Sequence, residues 1–200
     1  MHKRHLTASA LLASALVLTA CGSSTSGNDA AGPTTSSSTA AVAGGNKADI
    51  GFLTGMKPHH EQAVEMSEMV LAANPPAEVA AIAQKIKSAQ DPEIGQMTMM
   101  LGDLGMKADG KVHSGGHSAG QTGHGGMMND ADMEALMKAT GTQAARLYLE
   151  GMVKHHQGAI EASDAEISDG KYGPALALAK EIKTAQAAEI ITMQALLKTL

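Results

Sequence analysis

Of 200 residues, one is cysteine, one phenylalanine, two are tyrosine and none is tryptophan. A single thiol excludes a disulfide framework and any multi-thiolate zinc site. Phe52, Tyr148 and Tyr172 are too few for a sandwich or barrel core, where aromatic and β-branched side chains dominate. They are also too few for a base-stacking surface, and the formal charge of −5 offers phosphate no basic field. No nucleic-acid partner is therefore expected. What is present is an alanine- and leucine-rich chain with 14 methionines and nine histidines, 44% hydrophobic and 18% charged. That composition is helical, and its length suits one ordinary domain or two small ones.

Residues 1–20 read as an address. Lys3 and Arg4 form a short basic start, and the apolar run from Leu6 to Ala20 is too short to span a bilayer, which needs about 20 residues. The run ends Leu18-Thr19-Ala20-Cys21-Gly22, which resembles a bacterial lipobox. By that resemblance Cys21 is the lipid-modified first residue of an exported, membrane-anchored protein. Loss of residues 1–20 leaves 13 basic and 20 acidic side chains, a formal charge of −7. Residues 21–46, mostly Gly, Ser, Thr and Ala beyond the cysteine, read as a flexible tether, and the folded part is expected over 47–200.

The remainder is one unit written twice. At an offset of 96 residues, Leu53–Leu101 aligns without gaps to Leu149–Leu197, with 18 of 49 positions identical. Gly55-Met56-x-x-His59-His60-x-x-Ala63 recurs as Gly151-Met152-x-x-His155-His156-x-x-Ala159, and Ala89-Gln90-x-x-Glu93-Ile94-x-x-Met97 as Ala185-Gln186-x-x-Glu189-Ile190-x-x-Met193. Apolar residues recur at helical spacing in each copy. Asn74-Pro75-Pro76 and Asp169–Pro174 supply the breaks. Each copy is thus a helical hairpin that cannot bury its apolar face alone, and two hairpins predict an all-α four-helix bundle. Pro58 marks either a kink or the true start of its helix.

On the helix faces two features break the pattern. His59 and His60 flank Met56 on the apolar stripe, as His155 and His156 flank Met152, and Glu93 and Glu189 stand in the middle of the partner helix's stripe. Buried imidazoles and carboxylates need partners or a cation. With the turn near residue 75, His59 lies level with residue 92 and Met56 with 95, so Met56, His59, His60, Glu93 and Met97 converge, as do Met152, His155, His156, Glu189 and Met193. Pseudo-two-fold packing is expected to bring both sets to one end of the bundle. These ten residues are the candidate metal ligands; self-satisfied His–Glu pairs are the structural alternative. Met66, Met69, Met133 and Met137 are expected to fill the core.

Between the copies, residues 107–129 carry His113, His117, His124, Met127 and Met128 among many Gly and Ser residues. Such a tract is a candidate secondary metal site, and about 25 Å of reach would let it sample the bundle. Imidazole with thioether and no thiolate points to copper, as Cu(I) or Cu(II), or to silver; zinc or nickel could suit the linker.

The paired motifs resemble the bacterial exported family catalogued as domain of unknown function 305. Its pattern is Met-x-x-His-His-x-x-Ala followed by Gln-x-x-Glu-Ile-x-x-Met, here starting at Met56 and Gln90 and again at Met152 and Gln186. The resemblance covers residues from about 50 to 200 and implies a ferritin-like helical bundle, export and, for some members, copper binding and copper tolerance. The expectation is a lipid-anchored protein outside the cytoplasm that sequesters or transfers copper, with metal ions and the membrane as its partners. A structural or interaction module without metal is the alternative. A ferritin-like oxidase is the less favoured third reading, because the Glu-x-x-His spacing of di-iron bundles is missing.

Overall fold

Asn46 starts the first helix by doing for its amides what no preceding turn can do. Its side-chain oxygen accepts from the backbone N–H of Ala48 (2.7 Å) and Asp49 (3.2 Å), while Asp49 Oδ2 accepts from the Asn46 N–H at 2.5 Å, a complete capping box. The structure, a computed structural model, describes residues 44–106 and 125–200. Among the described residues there are five helices and no strand: α1 (Lys47–Ala72), α2 (Ala77–Asp103), α3 (Asp130–Lys138), α4 (Gly141–Asp169) and α5 (Gly173–Leu197). The signal segment, Cys21, most of the tether, and His113, His117 and His124 lie outside the described residues.

α1–α2 and α4–α5 form the two hairpins of a four-helix bundle, and α1 packs against α4 between them. α1 and α4 run antiparallel. The Gly141 N–H donates to the Ala73 carbonyl (2.7 Å) at one end, and the Asn46 side-chain amide donates to the Asp169 carbonyl (2.7 Å) at the other. The two hairpins share one register: Lys87 pairs with Glu68 at 3.1 Å, and their counterparts 96 residues on, Lys183 and Asp164, pair likewise.

α1 continues on both sides of Pro58, so this proline is neither the start of the helix nor its end. It lies inside, as Pro92 lies inside α2. Tertiary packing of the apolar face offsets the hydrogen bond that each ring removes. The short α3 is an addition to the expected four helices. It closes over α1 and α4 through Leu136, which is fully buried, with Met133 packed against the same cluster. Met66 is buried and Met69 partly so, whereas Met137 is 62% exposed. On a helix of nine residues only one narrow face reaches the core, and Leu136 occupies it.

Two buried apolar clusters each draw residues from both hairpins. All three aromatics are buried. The Tyr148 hydroxyl meets the Ser67 hydroxyl at 3.0 Å, and burial pushes the phenol well above its ordinary range. In the other copy the equivalents are Phe52 and Ser163, and the buried Ser163 hydroxyl has no hydrogen-bond partner. The duplication kept the serine and lost the partner.

Asp49 ties the start of α1 to the α4–α5 turn: its Oδ1 accepts from the N–H groups of Lys171 (2.9 Å) and Tyr172 (2.8 Å). Burial raises its carboxyl, but the N–H groups of Asn46, Tyr172 and Lys171 outweigh that and hold it below its ordinary value. Beside it sits Glu166, 1% exposed, whose carboxyl is pushed up to about 8 by burial and by the neighbouring Asp49. Gly170 makes the room, since a Cβ there would lie 2.4 Å from Glu166 Oε1. A native carboxyl with a raised pKa holds a proton that the unfolded chain releases near its ordinary value of 4.5. Its contribution therefore declines as pH rises from about 4.5 to about 8. Glu166→Gln keeps the shape without the titration, so its stability relative to wild type should increase across that range in denaturant melts. A constant difference at every pH would show that Glu166 titrates normally.

Candidate metal centre

Four imidazoles stand in a row where α1 crosses α4. His59 and His155 face one another with ring centroids 3.6 Å apart and planes tilted by 36°. Within each copy the adjacent rings are 6.5 Å apart, His59 to His60 and His155 to His156. A carboxylate closes each end: His60 Nε2 meets Glu93 Oε2 at 2.8 Å, and His156 Nε2 meets Glu189 Oε2 at 2.9 Å. All four rings are fully buried, although none belongs to a residue type that is usually found so.

Their position corrects one expectation. The two sets meet at the middle of the bundle, not at an end. The helices α1 and α4 are antiparallel, so the pseudo-two-fold axis runs across them and their midpoints coincide. Adjacent histidines half-way along each helix then have to meet.

Burial leaves this row short of partners. Nδ1 of His60 and Nδ1 of His156 lie buried without a direct hydrogen bond, and the ring nitrogens of His155 have at most the backbone of His59 for company. Desolvation holds His155 well below the ordinary imidazole range, helped by His59, His156 and His60. His156 is also lowered by burial, against the pull of Glu189. Neutral rings with open nitrogens are the form that binds metal ions. One turn before each carboxylate, Gln90 and Gln186 are buried as well. Both amide atoms of Gln90 and Oε1 of Gln186 lack partners. Sequence reasoning passed over these glutamines as metal-site residues, although their repetition in both copies marked them.

The four motif methionines, Met56, Met97, Met152 and Met193, are fully buried. Met56 and Met97 belong to one apolar cluster, Met152 and Met193 to the other, so thioethers lie in the core on both halves of the histidine row. Among the described residues no three His, Cys, Asp or Glu side chains close on one point. An ion held here would take imidazole and carboxylate donors in pairs and complete its shell from thioether, amide or carbonyl groups.

The end of the linker lies directly over the row. The Gly125 carbonyl is 3.4 Å from His59 Nε2. Gln62 grips the segment from both sides, its amide donating to the Met128 carbonyl and its oxygen accepting the Met128 N–H, each at 2.9 Å. Close approach demands glycine: a Cβ on Gly158 would sit 1.6 Å from the Gly125 oxygen, and one on Gly126 2.2 Å from the Lys154 oxygen. Gly126 also has φ of +87°. Met128 is half-buried against the core and Met127 is 38% exposed; both line a shallow cleft with Asp132 and Glu150.

A model of the family described as domain of unknown function 305 (DUF305) matches residues 49–197. The chain belongs to the DUF305 family. Among solved structures it is similar to a DUF305 protein of Streptomyces coelicolor described as secreted, with 30% identity and a TM-score of 0.68 over 76% of this chain and 93% of that one. It is also similar to a DUF305 fragment from Deinococcus radiodurans, with 28% identity and a TM-score of 0.65 over 78% and 98%. CopM in its Cu(II)-bound form matches at 25% identity and a TM-score of 0.62 over 76% of this chain and 96% of that one. No curated protein matches the chain.

The glycine contacts give a direct test. Gly158→Ala places a methyl group inside the Gly125 carbonyl, so the linker end must lift from the histidine row. Amide hydrogen exchange at Gly126–Met128 should accelerate in the variant while α2 and α5 stay protected. Unchanged exchange would mean that the segment is not held by this contact.

Proposed function

We propose that this DUF305 protein binds copper outside the cytoplasm, anchored to a membrane through Cys21, and either stores the metal or passes it on. The observation that carries the reading is the buried row of four imidazoles, closed by Glu93 and Glu189, in which His60, His155 and His156 keep ring nitrogens without a close hydrogen bond and beside which Met56, Met97, Met152 and Met193 are buried in the adjoining apolar clusters. A purely structural role would leave the cost of burying those nitrogens unrepaid, about 1–3 kcal/mol for each unpartnered group. A metal ion removes that cost. Imidazole and thioether without thiolate favour Cu(I), Cu(II) or Ag(I), and the likeness to CopM in its Cu(II)-bound form supports copper.

Export rests on the basic-then-apolar start and on the likeness to a protein described as secreted. Lipid attachment rests on the lipobox-like Leu18–Cys21. Among the described residues no helix is long and apolar enough to cross a membrane. The linker residues His113, His117, His124, Met127 and Met128 form a secondary, looser binding stretch. Copper is cargo in this reading and no reaction is assigned.

Titration of the purified protein with Cu(I), Ag(I) and Cu(II) should raise its melting temperature, since a ligand at 100 times its Kd adds about 2.7 kcal/mol to the native state. The His59/His60/His155/His156 quadruple alanine variant, checked for helicity by circular dichroism, should lose that shift. An undiminished shift in the variant would sink the intrahelical site. No shift in wild type with any of the three ions would favour a structural module.

Affinity should also depend on pH in a particular window. His155 and His156 are depressed by burial, so protons compete with metal only below the ordinary imidazole value of 6.5. Copper affinity measured by competition should hold level from pH 8 to about 6.5 and fall below it. A fall beginning near pH 8 would count against these two rings as ligands.

A further inference from the structure

The two copies place the same His–Glu pair in the same register, yet one carboxylate has a lysine beside it and the other, among the described residues, has none. Glu189 is nearly closed off, with its side chain 4% exposed, and its second oxygen, Oε1, takes the Lys85 ammonium at 3.4 Å from the other hairpin. Glu93 is more open, its side chain 18% exposed, and among the described residues no lysine or arginine pairs with it. The residue that the duplication sets in the place of Lys85, 96 positions on, is Glu181, and it is exposed. One carboxylate therefore has a cation already beside it, and the other has a carboxylate at the equivalent position.

Resting on the copper reading above, we infer that the pseudo-symmetric halves are not equivalent toward metal: the His60–Glu93 pair is where an incoming cation is first held, and Lys85 occupies the cation's place at His156–Glu189. A metal ion approaching Glu189 meets a positive charge 3.4 Å from the oxygen that it needs, or must displace it. At Glu93 it meets a more open carboxylate with no ammonium beside it among the described residues, and the residue aligned with Lys85 in the repeat is the acidic Glu181. Lys85 itself is 64% exposed, so the plug is a surface side chain that can swing away. The second pair then serves as a later or weaker position, and Lys85 and Glu181 set the order of filling. They are positioning residues, because neither is a ligand.

Calorimetric titration of the purified protein with Cu(II) reads this order directly. Glu93→Gln should weaken the first equivalent about tenfold or more, the scale of one close charge, while Glu189→Gln should change it by less than about twofold. The double exchange of Lys85→Glu with Glu181→Lys, both at the surface and both harmless to the core, should invert the pattern, so that Glu189→Gln now does the damage. Equal effects of Glu93→Gln and Glu189→Gln, or a pattern that the charge exchange leaves unmoved, would overturn the inference while leaving copper binding in place. Absence of Cu(II) binding by wild type would instead overturn the copper reading, and this inference with it.

Discussion

Everything in this bundle is arranged around the contact of His59 with His155. Two fully buried imidazoles 3.6 Å apart fix where α1 crosses α4, and every other member of the site is placed relative to that crossing. The cost of desolvating His155 is met only by the backbone of His59, and its ring nitrogens make no close hydrogen bond. The apolar clusters on both halves hold the rings in place regardless: each fully buried Leu, Ile or Met contributes about 1.5–3 kcal/mol, so the clusters can tolerate a few unsatisfied nitrogens. Both copies keep these buried imidazoles, and in the proposed function a metal ion supplies the partners that their ring nitrogens lack.

The duplication supplies symmetry, and departures from it separate structure from specialisation. Glu68–Lys87 and Asp164–Lys183 repeat because they pin each hairpin's register, a task both copies share. Ser67 with Tyr148 against Ser163 with Phe52, and Lys85 against Glu181, do not repeat. Such differences leave the fold untouched, since none alters the apolar stripes, yet they give the two halves different polarity around the same motif.

How much of this was legible beforehand depends on the range of the contact. Asn74-Pro75-Pro76 and Asp169–Pro174 mark the turns because proline and glycine punctuate helices by local chemistry, and α1 ends and α2 begins on either side of the first. The hairpin register set His59 and Met56 on either side of Glu93, and the ring that reaches Glu93 is His60. α3 was missed because a nine-residue helix offers too little periodicity, and with it went the reason for Leu136. Pro58 does not mark the start of its helix, because a ring inside a well-packed helix costs less than the packing returns. Gln62 gripping Met128 and Gly158 beneath Gly125 had no local signature at all; both are agreements between residues far apart in the chain.

The sequence by itself determined that the chain is helical, that it is one hairpin twice over, and which side chains are out of place on their apolar stripes. Periodicity and repetition are local properties, and a linear reading captures them. Only the tertiary structure decided that the two histidine pairs meet at mid-height, that Lys85 reaches across to Glu189, and that Asp49 and Glu166 share one buried corner. Those outcomes follow from the antiparallel crossing of α1 and α4, and the angle and depth at which two helices pack are set by all the side chains between them together.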